Sequence, residues 1–124
     1  MKIPDNYLPV MPYLLVKDAY KFLEFSKKIL GATQQYLAER SPGVVMHAEL
    51  RIEQAVIMFA DATDVYPEFP GSMFLYISDV DAVHKKAEAA GLKILQPLED
   101  RDYGRGFGFA DDFGNNWWVN TPIA

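Results

Sequence analysis

The chain has 124 residues, with 12 Lys and Arg against 17 Asp and Glu, a net charge of −5, and no cysteine. That length suits one domain spanning 1–124; the acidic balance argues against nucleic acid as a partner, and the lack of cysteine excludes disulfides, thiolate nucleophiles and cysteine-held metals. No run of 18 apolar residues occurs and the start, Met1-Lys2-Ile3-Pro4-Asp5, is charged and broken by proline, so a cytoplasmic protein with no membrane partner is expected.

In chain order, the apolar run from Met11 to Val16 predicts a strand, and Asp18 then caps a helix over 19–30 with Phe22, Phe25 and Ile29 on one face and Gly31 as its stop. Residues 33–39 form a weak strand. Ser41-Pro42-Gly43 turns into a strand from Val44 to Ile52, and Glu53-Gln54 turns back into its antiparallel partner from Ala55 to Ala60. Residues 61–71 are a connecting loop rich in Asp, Pro and Gly.

The pattern then repeats. Ser72 to Ile77 is a strand, Asp79 caps a helix over 80–90 with Val80, Val83, Ala87 and Ala90 inward, and Gly91 stops it. Leu92 to Leu95 is a strand, 98–106 a charged loop, and Gly108 to Asp111 and Asn116 to Thr121 are strands around the Asp112-Phe113-Gly114 turn. Leu14-Leu15-Val16-Lys17-Asp18 lies over Leu75-Tyr76-Ile77-Ser78-Asp79, which marks an internal repeat of two βαβββ modules, about 8–61 and 72–122. The predicted class is α+β: a curved, mainly antiparallel sheet with a concave pocket and helices on the convex side.

The segments Tyr13-Leu14-Leu15-Val16-Lys17-Asp18, Leu30-Gly31-Ala32, Met46-His47-Ala48-Glu49-Leu50-Arg51-Ile52, Asp79-Val80-Asp81-Ala82 and Asp112-Phe113-Gly114-Asn115-Asn116-Trp117-Trp118 resemble the glyoxalase, bleomycin-resistance and extradiol-dioxygenase (vicinal oxygen chelate) superfamily, and within it the PhnB-like group. The resemblance implies lyases, isomerases, dioxygenases or drug binders on one fold, and a homodimer. It also implies four metal-ligand positions, which by register hold Met11, Met58, Ser72 and Trp118. None is a normal ligand for a divalent ion, so neither metal nor cofactor is expected.

Strand alternation places Tyr13, Leu15, Val56, Met58, Ala60, Phe74, Tyr76, Asn116, Trp118 and Asn120 on the free face. Pairing of 52 with 55 adds His47, Glu49 and Arg51 to it. The concave face thus carries a polar stripe, His47, Glu49 and Arg51, beside an apolar and aromatic wall of Met11, Tyr13, Met58, Phe74, Tyr76 and Trp118, and all of these but Met11 are the expected ligand-binding residues. Tyr103 and Arg105 join them from a mobile loop over the pocket, although Arg105 directly follows Gly104, one residue closer than in related PhnB-like chains. The plainer alternative makes the polar three a solvated strand face and the rings ordinary core.

His84 is expected on the polar side of the second helix beside Lys85 and Lys86, leaving His47 and Glu49 without a third metal ligand. The predicted function is metal-independent sequestration of an aromatic or cationic small molecule such as an antibiotic, the acidic loop 61–68 favouring a cation. The alternative is a lyase, isomerase or dioxygenase-like enzyme with its site relocated around His47 and Glu49, and catalytic residues are otherwise unassigned.

Overall fold

A computed structural model describes residues 1–123. The chain divides into two compact units, Met1–Pro70 and the segment from Gly71 onward. Each has the predicted β-α-β-β-β order. The first contains β1 (Tyr13–Val16), α1 (Ala19–Leu30), β2 (Thr33–Ser41), β3 (Val44–Ile52) and β4 (Ala55–Asp61); the second contains β5 (Ser72–Tyr76), α2 (Val80–Ala89), β6 (Lys93–Arg101), β7 (Gly104–Ala110) and β8 (Asn116–Pro122). Each makes a four-stranded mixed sheet, ordered β1-β4-β3-β2 and β5-β8-β7-β6, whose first strand runs parallel to its last. Among the described residues no helix is long and apolar enough to cross a membrane.

Local chemistry explains the helices. The Asp18 carboxylate accepts from the Lys21 amide and caps α1, and Gly31 ends it at φ 69°, a left-handed conformation that glycine adopts without steric cost. Asp79 caps α2 in the same way. The inner face of α1 buries Phe22, Leu23, Ile29 and Leu30, with the Phe22 ring edge-on to Phe59 at 5.0 Å. In the second unit Val80, Val83 and Ala87 of α2 are buried, as are Phe107, Phe109, Trp117 and Val119 of the sheet.

The hairpin register is the predicted one: Ile52 opposes Ala55, Arg51 opposes Val56 and Glu49 opposes Met58. Tyr13 of β1 also opposes Met58, so Tyr13, Met58 and Glu49 form one row across three strands. In the second unit the matching row is Phe74, Trp118 and Gly108.

Four expectations are corrected. Strand β1 starts at Tyr13, so Met11 precedes the sheet; Pro12 has no N–H to give, and its carbonyl instead accepts from the Met58 amide at 2.9 Å. Residues 98–106 are not a mobile loop but most of a hairpin, β6 continuing through Glu99, Asp100 and Arg101 to a turn at Asp102-Tyr103. An edge strand tolerates such charges because one side of it faces no neighbour. Ala90 lies just past the helix and is exposed. His84 is not on a solvated face: its ring stands edge-on to Phe107 at 4.8 Å.

Candidate functional site

Alternation along β3 sends Ala48, Leu50 and Ile52 to the buried side and His47, Glu49 and Arg51 to the other. This second face of the first sheet is not simply solvated. Glu49 is only 4 % exposed, and a buried carboxylate must be hydrogen-bonded to persist as an anion. Its Oε1 accepts from the Tyr7 hydroxyl at 2.7 Å and from Gln35 Nε2 at 3.0 Å, and its Oε2 lies 2.8 Å from His47 Nε2. Burial alone would raise the Glu49 pKa; the hydrogen bonds from Gln35, His47 and Tyr7 outweigh it and hold the carboxyl below its ordinary value.

That ionisation sets the histidine. A carboxylate only accepts, so Nε2 of neutral His47 carries the hydrogen and Nδ1 is bare. The Tyr13 hydroxyl, 2.9 Å away, then donates to Nδ1. Burial first, and the nearby Glu49 charge second, push the Tyr13 pKa up, so it stays a phenol. Tyr13 also stacks on His47 with centroids 5.4 Å apart, and Tyr36 lies 5.9 Å from the same ring. Arg51 reaches Gln35 Oε1 at 3.1 Å and the Asn6 carbonyl at 3.2 Å. The polar stripe is therefore one connected network from Tyr13 to Arg51.

Tyr7, Gln35 and Tyr36 complete this network and escaped the sequence reading. Tyr7 sits in an aperiodic proline-bounded segment 42 residues before its partner, and β2 shifts register between Gln34 and Tyr36, so alternation does not place those side chains. Val56 and Ala60, expected on an open face, are buried.

The second unit carries rings instead. Phe74 is 53 % exposed, Tyr76 49 % and Tyr103 47 %. Phe74 meets Tyr76 edge-on at 5.1 Å and Tyr103 at 5.9 Å. Trp118 is fixed by donation from its Nε1 to Ser72 Oγ at 2.8 Å and lies over Gly108, where any Cβ would collide with the indole; a Cβ at Gly106 would collide with the Asn120 side chain. Glycine on β7 thus makes room for the bulk that β8 supplies. Arg105 departs from expectation. It lies within β7 and its guanidinium bonds to Asp81 at 3.0 Å and Asp100 at 3.2 Å; Asp81 and Asp100 push its pKa further up.

A divalent metal does not fit the residues present. The positions implied by the family hold two thioethers, an indole, and a hydroxyl already engaged by that indole. His47 and Glu49 bond to each other, and no group of three His, Asp or Glu side chains converges among the described residues.

Residues 8–119 match the family described as the Glyoxalase/Bleomycin resistance protein/Dioxygenase superfamily. An uncharacterised protein of Mycobacterium bovis is 30 % identical over 124 residues, covering 90 % of this chain and 82 % of its own length. Among solved structures, TioX from Micromonospora sp. ML1 superposes with a TM-score of 0.79 at 20 % identity, over 94 % of this chain and all of its own. TnmS3, an antibiotic binding protein from Streptomyces sp. CB03234, gives 0.72 at 18 % identity over 94 % of this chain and all of its own.

Proposed function

The chain belongs to the Glyoxalase/Bleomycin resistance protein/Dioxygenase superfamily, and from that premise we propose that it is a metal-independent small-molecule binding protein that sequesters an aromatic ligand such as an antibiotic. The observation that carries this reading is the exposed ring cluster of Phe74, Tyr76 and Tyr103 beside Trp118, on a strand floor stripped to glycine. Rings left at half exposure keep about half of their surface for a flat ligand to cover. A structural relative described as an antibiotic binding protein supports the same reading. The proposed ligand-binding residues of the second unit are Phe74, Tyr76, Tyr103 and Trp118, and those of the first are Tyr13, His47, Glu49, Arg51 and Met58; Arg105, engaged by two aspartates, is not among them. Asp61 of the acidic loop spends its carboxylate oxygens on the Ala19 and Val45 amides at 2.7 Å each, so the attraction of that loop for a cationic ligand rests on Asp64 and Glu68.

Acridine, flat and uncharged at neutral pH, is expected to quench Trp118 fluorescence saturably, and Phe74→Ala to weaken its binding by about three- to tenfold. EDTA is expected to leave binding unchanged. No saturable quenching, or a loss of binding on chelation, overturns the reading. Two chains are proposed to pair, since exposed rings favour association, in a cytoplasmic setting; sedimentation at the mass of one chain at micromolar concentration counts against the pairing.

A second reading, a lyase, isomerase or dioxygenase-like enzyme, is favoured by one observation, the Tyr13–His47–Glu49 chain. A phenol bonded to a bare imidazole nitrogen, with a carboxylate behind it, is an arrangement able to relay a proton.

A further inference from the structure

The first unit holds a cavity of about 320 Å³ that none of the predicted polar stripe explains. Its walls are mostly apolar: Tyr13 and Leu15 of β1, Ala60 of β4, and Tyr66 of the segment after β4. Two charges line it, Arg40 at the end of β2 and Asp61 at the end of β4, and they differ in what they have left to offer. Asp61 is already spent, each oxygen accepting a backbone amide, one of them from Ala19 at the positive end of α1. Arg40 is unspent: among the described residues its guanidinium has neither an ion pair nor a hydrogen bond. Among the described residues Tyr66 is held only through its backbone, in a turn with Thr63, so its ring is free to close on an occupant.

We infer that this cavity binds a small carboxylate with a planar apolar body, its carboxylate on Arg40 and its body between Tyr13 and Tyr66. The planar guanidinium fork matches a carboxylate with two parallel N–H donors. One free cation among apolar walls neutralises one negative charge, so a monocarboxylate fits where a phosphate dianion would keep a charge unmatched beside Asp61. The volume lies at the small end of ligand sites, which favours a compact ligand or the acidic end of a larger one. This inference rests on the small-molecule-binding reading and adds a charge preference to it.

Benzoate and benzamide, nearly equal in shape and unlike in charge, provide the test. Titrated into the full chain with chemical shifts of the first unit followed by NMR, benzoate is expected to bind at least about tenfold more tightly than benzamide, with shifts at Arg40, Ala60 and Tyr66. Arg40→Gln, a change at an exposed side chain, should bring the two affinities together while leaving the circular dichroism spectrum unaltered. Tyr66→Ala should weaken both probes alike. Equal binding of the two probes to the unaltered protein, a preference that survives Arg40→Gln, or no binding of benzoate overturns the inference. Acridine quenching that persists in any of those cases leaves the broader reading standing, so the two fail separately.

Discussion

Replacing Asp111 by alanine is expected to lower stability by about 3 to 5 kcal/mol. The buried Asp111 carboxylate closes the turn between β7 and β8. One oxygen accepts from the amides of Phe113 at 2.7 Å and Asn115 at 2.9 Å, and the other from Asn115 Nδ2 at 2.8 Å and the indole Nε1 of Trp117 at 2.9 Å. Alanine leaves four donors facing a space too enclosed for easy hydration, and an unmet buried donor costs on the order of 1 to 3 kcal/mol before neighbours relax. Asp111→Asn keeps one acceptor and turns an amide towards Asn115 and Trp117, so it should fall between the two. Urea unfolding followed by tryptophan fluorescence measures both variants. A loss below about 1 kcal/mol for alanine would mean that the donors find other partners and that the turn does not depend on the carboxylate.

The second prediction concerns Glu49 and carries a pH signature. Glu49→Ala is expected to cost about 2 to 4 kcal/mol at neutral pH, because the Tyr7, Gln35 and His47 donors lose their acceptor. The Glu49 pKa is held below its unfolded value, so its contribution is fully present above about pH 4.5 and is lost as pH falls through the folded-state pKa. Glu49→Gln should remove that acid-limb dependence and cost less at pH 7. It should also reverse the hydrogen bond: the amide nitrogen donates to His47 Nε2, the ring carries its hydrogen on Nδ1, and Tyr13 turns from donor to acceptor. NMR of the imidazole nitrogens reads the tautomer directly. An unchanged tautomer, with an unchanged acid limb of the stability curve, would refute the coupling. The same variant tests the second functional reading, since a proton relay fails without the carboxylate.

Much of the backbone was legible because it obeys local rules. Asp18, the Phe22-Phe25-Ile29 spacing and Gly31 delimit α1 to the residue, and the Glu53-Gln54 turn gives the β3–β4 register that sets Glu49 opposite Met58; the place of Tyr13 beside Met58 comes from the parallel β1–β4 pairing, which no turn announces. Charge misled the reading of 98–106, since Glu99, Asp100, Arg101 and Asp102 look like loop while their backbone completes an edge strand and its turn. The polar network was half legible. Alternation found His47, Glu49 and Arg51, but the depth of Glu49 depends on Tyr7 and Gln35, and neither is placed by a period. Asp111 and Arg40 show the same limit from opposite sides: one carboxylate is sunk among four donors and one guanidinium is left alone, and composition treats the two as ordinary surface charges.

The two rows, Tyr13-Met58-Glu49 and Phe74-Trp118-Gly108, occupy equivalent places in the two modules, yet they distribute bulk differently. In one the volume is shared along three strands; in the other it is withdrawn from β7 and concentrated in an indole on β8. A duplicated scaffold of this kind behaves as a movable-type tray. Side-chain volume can be exchanged between adjacent strands of a row, as in Gly108→Ala combined with Trp118→Phe, without disturbing the hydrogen-bonded lattice beneath. Selectivity for new molecules is then reachable through compensating pairs within a row, each pair preserving the sum while changing the relief.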